Sequence, residues 1–172
     1  MKHVALVALV VFSTFLALPI PARAQGVSGE DLLLGTWHLI VSESTYSPGP
    51  KPTSQTRTYE KHPLGIKATV RTVYAGGRST TVQSVYDYGR QEHPVTGSEE
   101  VDAVVVMRID AYTHAATLSH AGIEIGTFRR VISRDGKRMT VTLERRTPRA
   151  VFITVQRAGI RSAGRNFRTQ RP

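Results

Sequence analysis

The sequence predicts an all-β chain folded as one antiparallel up-and-down meander barrel of eight to ten strands. Three observations carry that expectation. From Leu34 onward, period-2 alternation recurs about every ten residues and no stretch sustains helical periodicity. The connections are short and rich in turn residues, which pairs successive strands antiparallel, because parallel neighbours need a crossover of about a dozen residues or more. The 172 residues contain no cysteine, so the domain must stand on a core without disulfide staples. A long open meander leaves two unpaired edges, and closure into a barrel removes them. A two-sheet sandwich is the rival, but its Greek-key connections need longer loops than most of those present.

The elements follow in order. Residues 34–42 alternate Trp37, Leu39 and Val41 against His38, Ile40 and Ser42. Residues 57–61 and 66–74 come next, the second with Ile66, Ala68 and Val70 on one face. Residues 80–88 follow, then 101–109 with Ala103, Val105, Met107 and Ile109 aligned. Residues 112–119, 123–133, 138–145 and 150–156 complete the series. Gly76-Gly77 supplies positive φ, Asp135-Gly136 is a hairpin signal, and His120-Ala121-Gly122 and Asp110-Ala111 make tight reversals. Residues 42–54 hold three prolines and read as an irregular or polyproline-like loop.

The two ends read differently from this body. Lys2 and His3 precede an apolar run over 4–20, closed by Pro19, Pro21 and Ala22-Arg23-Ala24. A basic start, an apolar stretch and an A-x-A ending form the pattern of a secretory signal peptide. The run of ~17 residues is at the lower limit for crossing a bilayer, which makes an uncleaved anchor the weaker reading. Cleavage is expected after Ala24, with a mature chain from Gln25, exported to the periplasm or the medium. Removing Lys2 and Arg23 takes the net charge from +10 to +8. Arg157, Arg161, Arg165, Arg168 and Arg171 supply five of those charges with no acid among them, so the basicity is mostly a tail property. The expected organisation is a leader over 1–24, a barrel over 25–157 and a basic, disordered tail over 158–172.

Gly35-Thr36-Trp37 at the opening of the first strand resembles the G-x-W signature of the lipocalin and fatty-acid-binding-protein superfamily. Tyr46-Ser47-Pro48-Gly49-Pro50, Arg57-Thr58-Tyr59-Glu60, His93-Pro94-Val95-Thr96-Gly97, Arg108-Ile109-Asp110 and 129–137 follow in an order similar to small exported bacterial lipocalin-like proteins. The resemblance spans 34–143. It implies a calyx for a small apolar or amphipathic ligand, a Trp37 that plugs the closed end, and a late arginine packed over that Trp. Arg129, Arg130 and Arg157 are the candidates for that arginine, with Arg129 or Arg130 preferred because they lie in the matched segment. Two departures limit what carries over. The Pro-rich loop replaces the helical pair of fatty-acid-binding proteins. Val155-Gln156-Arg157 stands where that group has an Arg-x-Tyr that grips a carboxylate.

The candidate ligand-binding residues are Trp37, Arg57, Tyr59, Tyr86, Met107 and Arg129. Trp37 reads first as a core seal, with ligand contact secondary. Tyr59, Tyr74, Tyr86 and Tyr88 recur on strands, where packing across the sheet with the hydroxyl toward solvent is the plainer reading. Arg57 shares a face with Tyr59. Turned inward it would need an anionic partner that a ligand could supply, and turned outward it is a solvated charge; the outward reading is favoured.

Other chemistries find little purchase. His38, His62, His93, His114 and His120 form no metal pattern, and haem ligation by His93 or His114 is a remote alternative to surface or turn histidines. No nucleophile elbow, Walker loop or dinucleotide fingerprint is present. Glu99-Glu100-Val101-Asp102 reads as a solvated run, although a carboxylate pair drawn from distant strands has no sequence signature. The arginine tail fits anionic lipid or lipopolysaccharide better than nucleic acid, which an exported protein rarely meets. The expected function is non-enzymatic binding or carriage of a small hydrophobic or amphipathic molecule by a monomer with no cofactor. The alternative is an envelope-interaction protein with a filled barrel and a basic contact tail, and a hydrolase or isomerase comes third.

Overall fold

The computed structural model describes residues 31–46, 49–145 and 149–157. The expected leader over 1–24 and the basic tail over 158–172 lie outside the described residues. The strands are β1 (Gly35–Leu39), β2 (Thr45–Tyr46), β3 (Ser54–His62), β4 (Gly65–Val73), β5 (Ser79–Tyr86), β6 (His93–Thr96), β7 (Ala103–Arg108), β8 (Thr113–His120), β9 (Ile123–Ile132), β10 (Arg138–Arg145) and β11 (Arg149–Arg157).

Successive strands from β3 to β11 pair antiparallel, and β1 pairs with both β3 and β11. The sheet therefore closes on itself. A 3-10 turn at Val41–Glu43 breaks the first strand, so that β1 and β2 lie end to end along the same edge of β11. Eleven segments thus make a ten-stranded closed antiparallel barrel, the all-β architecture the alternation predicts.

The pleat sorts the side chains. On β4, Ile66 and Thr72 are buried while Arg71 faces water, and on β10, Met139 and Val141 are buried between exposed Arg138 and Thr140. Gly76 and Gly77, at φ of +79° and +81°, turn the chain between β4 and β5 as the sequence leads one to expect. Ala121 and Gly122, at φ of +50° and +75°, form the two-residue reversal between β8 and β9. That turn's twist matches the flanking strands, and the Ala121 N–H is held by the Asp102 carboxylate at 2.7 Å.

Three expectations are corrected. On β7 the buried residues are Val104 (4% exposed) and Val106 (1%), so the aligned set ending in Met107 and Ile109 faces outward. Both faces of Ala103–Met107 are apolar, so alternation cannot choose between them. Pairing with β8 does, by setting Val104 opposite Leu118 and Val106 opposite Ala116. Second, β3 begins at Ser54 and β2 lies within 42–54, so part of the supposed loop is strand. Third, His93–Thr96 is a strand with two paired residues on each side, too short to show a period.

Candidate functional site

The closed end of the barrel is built on Trp37. Its ring is fully buried, and its Nε1–H donates to the Leu33 carbonyl at 2.9 Å, tying the segment before β1 beneath the barrel floor. The Arg157 guanidinium lies 4.8 Å from the centre of that ring. Arg157 Nε donates to the Gly136 carbonyl and Nη1 to the Leu34 carbonyl, each at 3.0 Å, and Nη2 donates to the Leu32 carbonyl. Gly35, at φ of +120°, makes room for this, since a Cβ there would stand 3.3 Å from Arg157 Nη1. The late arginine over the Trp is thus Arg157, not the preferred Arg129 or Arg130. Register decides it, because β11 closes on β1 with Trp37 directly opposite Arg157. Arg157 is accordingly withdrawn from the set of tail arginines available to an anionic surface.

Above this floor the interior carries charge. Arg130 on β9 is 2% exposed, and its guanidinium lies 5.1 Å from the Tyr59 ring centre, 5.9 Å from Tyr86 and 4.9 Å from Phe128. Its Nη2 donates to the Tyr86 hydroxyl at 3.2 Å, while its buried Nε has no partner. Burial works against the charge, but the Tyr86 and Tyr59 oxygens outweigh it and raise the guanidinium pKa further. Tyr59 responds in kind: burial pushes its phenol up, and Arg130 and Arg57 together pull it below its ordinary value.

Arg57 faces inward, against the favoured outward reading. It shares its face with buried Gln55 and Tyr59 and lies directly opposite Trp37. Its Nε donates to Gln55 Oε1 at 2.8 Å, and Gln55 Nε2 donates to Thr72 Oγ1 at 2.9 Å. The cost of burying an arginine argued for water; the shared parity with Tyr59 overrides it. Among the described residues, neither Arg57 nor Arg130 has a carboxylate at ion-pair distance. A buried cation without a counter-charge is expensive, and Arg130 is one; Arg57 stands half-buried on the same face as Tyr59.

A second polar cluster adjoins the first. His114 on β8 is fully buried, directly opposite Arg130 across the β8–β9 ladder, and stacks on Tyr88 with ring centres 5.3 Å apart. Both of its ring nitrogens lack hydrogen-bond partners. Tyr88 donates to Asp31 Oδ2 at 2.5 Å, while Asp31 Oδ1 lies 3.9 Å from His114 Nε2. Burial, then the nearby Arg130 charge, lowers the imidazole pKa to about 4, with Asp31 opposing. His114 is therefore neutral at pH 7. Burial and the Asp31 carboxylate both push the Tyr88 phenol up. The buried hydroxyls of Ser84 and Tyr46 are also unpaired.

Of the six candidate residues, the structure brings Trp37, Arg57, Tyr59 and Tyr86 to the inner face. Met107, 39% exposed, and Arg129 lie on the outer face, lining a shallow groove of about 550 Å³ with Ala115, Thr117 and Thr127. Parity separates Arg129 from Arg130, since a one-residue step along a strand reverses the face. Arg130 and His114 are what the sequence reading missed as lumen residues. The signal for Arg130 was the β9 alternation Phe128, Arg130, Ile132; none existed for His114 until its opposition to Arg130 was known. Among the described residues, no three His, Asp or Glu side chains gather into a metal site.

A closed ten-stranded antiparallel barrel, plugged by a G-x-W tryptophan and lined by arginines and aromatic rings, is a calycin-like barrel. Among solved structures, a point mutant of the fluorescent protein UnaG is similar at a TM-score of 0.52 and 19% identity, covering 75% of this chain and 98% of that one. The likeness is one of fold, a barrel of the fatty-acid-binding-protein type. No family model and no curated protein matches, so the narrower resemblance to exported bacterial lipocalin-like proteins gains no support.

Proposed function

We propose that this protein is an exported, non-enzymatic binding protein whose barrel takes a small amphipathic acid, the acidic group toward Arg130 and Arg57 and the apolar part against the β-strand walls. The observation that carries the reading is the buried Arg130 with its unpartnered Nε and no carboxylate beside it. Desolvated apolar contacts would supply most of the affinity, and the guanidiniums would orient the guest.

A matched pair of fluorescent probes tests it. 1-Anilinonaphthalene-8-sulfonate carries a permanent negative charge, and N-phenyl-1-naphthylamine is the same aromatic body without it. The sulfonate should bind the wild type at least about tenfold more tightly than the neutral amine, a difference of about 1.4 kcal/mol. Arg130→Met should erase that preference and leave the amine within about twofold. Equal affinity of both probes for the wild type would defeat the anionic reading.

Export rests on the tripartite pattern over 1–24, and fractionation with an intact mass beginning at Gln25 tests it. Contact with anionic lipid or lipopolysaccharide through Arg161, Arg165, Arg168 and Arg171 belongs to the same proposal. Deleting 158–172 should weaken binding to anionic vesicles at low salt.

A further inference from the structure

We infer that His114 is a second binding residue of the lumen: an anionic group seats between the Arg130 Nε and the His114 ring, and it enters together with a proton. The inference rests on the reading of the lumen as a site for an amphipathic acid, and adds a contact and a proton to it.

The geometry is local and specific. Arg130 and His114 are directly opposed on adjacent strands and both point inward. On Arg130 the unpartnered nitrogen is Nε, while Nη2 donates to the Tyr86 hydroxyl. This Nε and both nitrogens of His114 are buried and unpartnered. Buried polar atoms almost always find partners, and three orphaned nitrogens at one opposed pair mark a place where a ligand atom belongs.

The groups around His114 decide its charge. Arg130 faces it from β9 and opposes protonation; Arg108 from β7 does so more weakly. Asp31, from the segment before β1, and Asp110, from the β7–β8 turn, favour it, and Tyr88 stacks against the ring. Asp31 is already committed, with Oδ2 accepting from the Tyr88 hydroxyl and Oδ1 from the Leu33 N–H at 2.9 Å. Without a ligand the imidazole is neutral down to about pH 4. An anion between the two side chains cancels the Arg130 field and accepts a hydrogen bond from the imidazolium. Protonation then becomes easier with the ligand bound than without it. By linkage, affinity must rise as pH falls through the interval between the two values, by up to about tenfold per pH unit.

The sulfonate probe suits the test because its own charge does not change between pH 7.5 and 5. Its Kd for the wild type should fall on acidification across that range, while the Kd of the neutral amine stays level and His114→Gln abolishes the slope. Because that variant introduces a new amide into the core, wild-type NMR provides an independent reading. The His114 ring proton, assigned through its contacts with Tyr88, should titrate at least one pH unit higher with the sulfonate bound. An unchanged His114 titration with the sulfonate bound in an Arg130-dependent way overturns this inference and leaves the anionic lumen intact. Failure of the wild type to prefer the sulfonate overturns both.

Discussion

Two arginines of this barrel lie over aromatic rings and have opposite surroundings. Arg157 sits 4.8 Å from the Trp37 ring centre with each guanidinium nitrogen donating to a backbone carbonyl. Arg130 sits within 6 Å of three ring centres, donates to one tyrosine hydroxyl, and keeps its Nε unpaired. The first arrangement is complete in itself: the cation ties the segment before β1, the β9–β10 turn and β11 together beneath the barrel. The second leaves a buried guanidinium nitrogen without a partner. On the function proposed above, stability and binding divide between the floor and the lumen, and each half can be broken separately.

The largest effect should come from the floor. Trp37→Ala removes a fully buried indole and its bond to the Leu33 carbonyl. It should cost about 3–5 kcal/mol in urea denaturation, enough to unfold a marginal domain. Acid comes next, and it acts on the lumen. His114 has a folded-state pKa lowered to about 4 against an ordinary value of 6.5, so the unfolded chain binds its proton first. Stability should be complete above pH 6.5 and lost progressively toward pH 4, by about 3 kcal/mol from this group. His114→Gln should flatten that part of the pH profile. If the variant loses stability over pH 6.5 to 4 as steeply as the wild type, His114 is not the buried group that titrates.

The closed barrel, its meander order and the floor tryptophan were legible in the sequence, because period-2 alternation, short turns and G-x-W are local signals. The lumen was legible only in part. Trp37, Arg57, Tyr59 and Tyr86 were named, but the favoured outward face for Arg57 was wrong, since parity with Gln55 and Tyr59 outweighed its charge. Met107 and Arg129 stand on the outer face: 103–107 is apolar on both faces, so alternation could not place Met107, and Arg129 is one residue from buried Arg130. Arg157 was passed over since it lies where the apolar pattern gives way to the basic tail. Its partners Leu32, Leu34 and Gly136 are brought to it only when β11 closes on β1. His114 and Asp31 meet only through the folded register. Sequence reveals period, while closure and opposition decide which polar atoms share a space.

The comparison of the two arginines sharpens when both receive the same substitution. Arg157→Met leaves the Leu32, Leu34 and Gly136 carbonyls without their donor and should cost about 2–3 kcal/mol. Arg130→Met removes a buried cation without a counter-charge and replaces it with a side chain of similar reach. Lost cation–π contacts offset part of the relief, so stability should hold or rise by about 1 kcal/mol. Urea midpoints shifting in the same direction by similar amounts would erase the distinction between floor and lumen.

The smallest effect should come from the outer face, and that makes it the control for the whole scheme. Met107 and Arg129 line the same shallow exterior groove, outside the wall that carries Val106 and Arg130 inward. Met107→Ser removes a side chain that is already 39% exposed and lines the exterior groove. Its cost should stay within about 0.5 kcal/mol, the usual range for surface substitutions. The affinity of the sulfonate probe should change by less than about twofold. A larger loss of binding in Met107→Ser than in Arg130→Met would move the ligand from the lumen to the exterior groove. The unpaired nitrogens of Arg130 and His114 would then be a packing defect of the barrel, with no role in recognition.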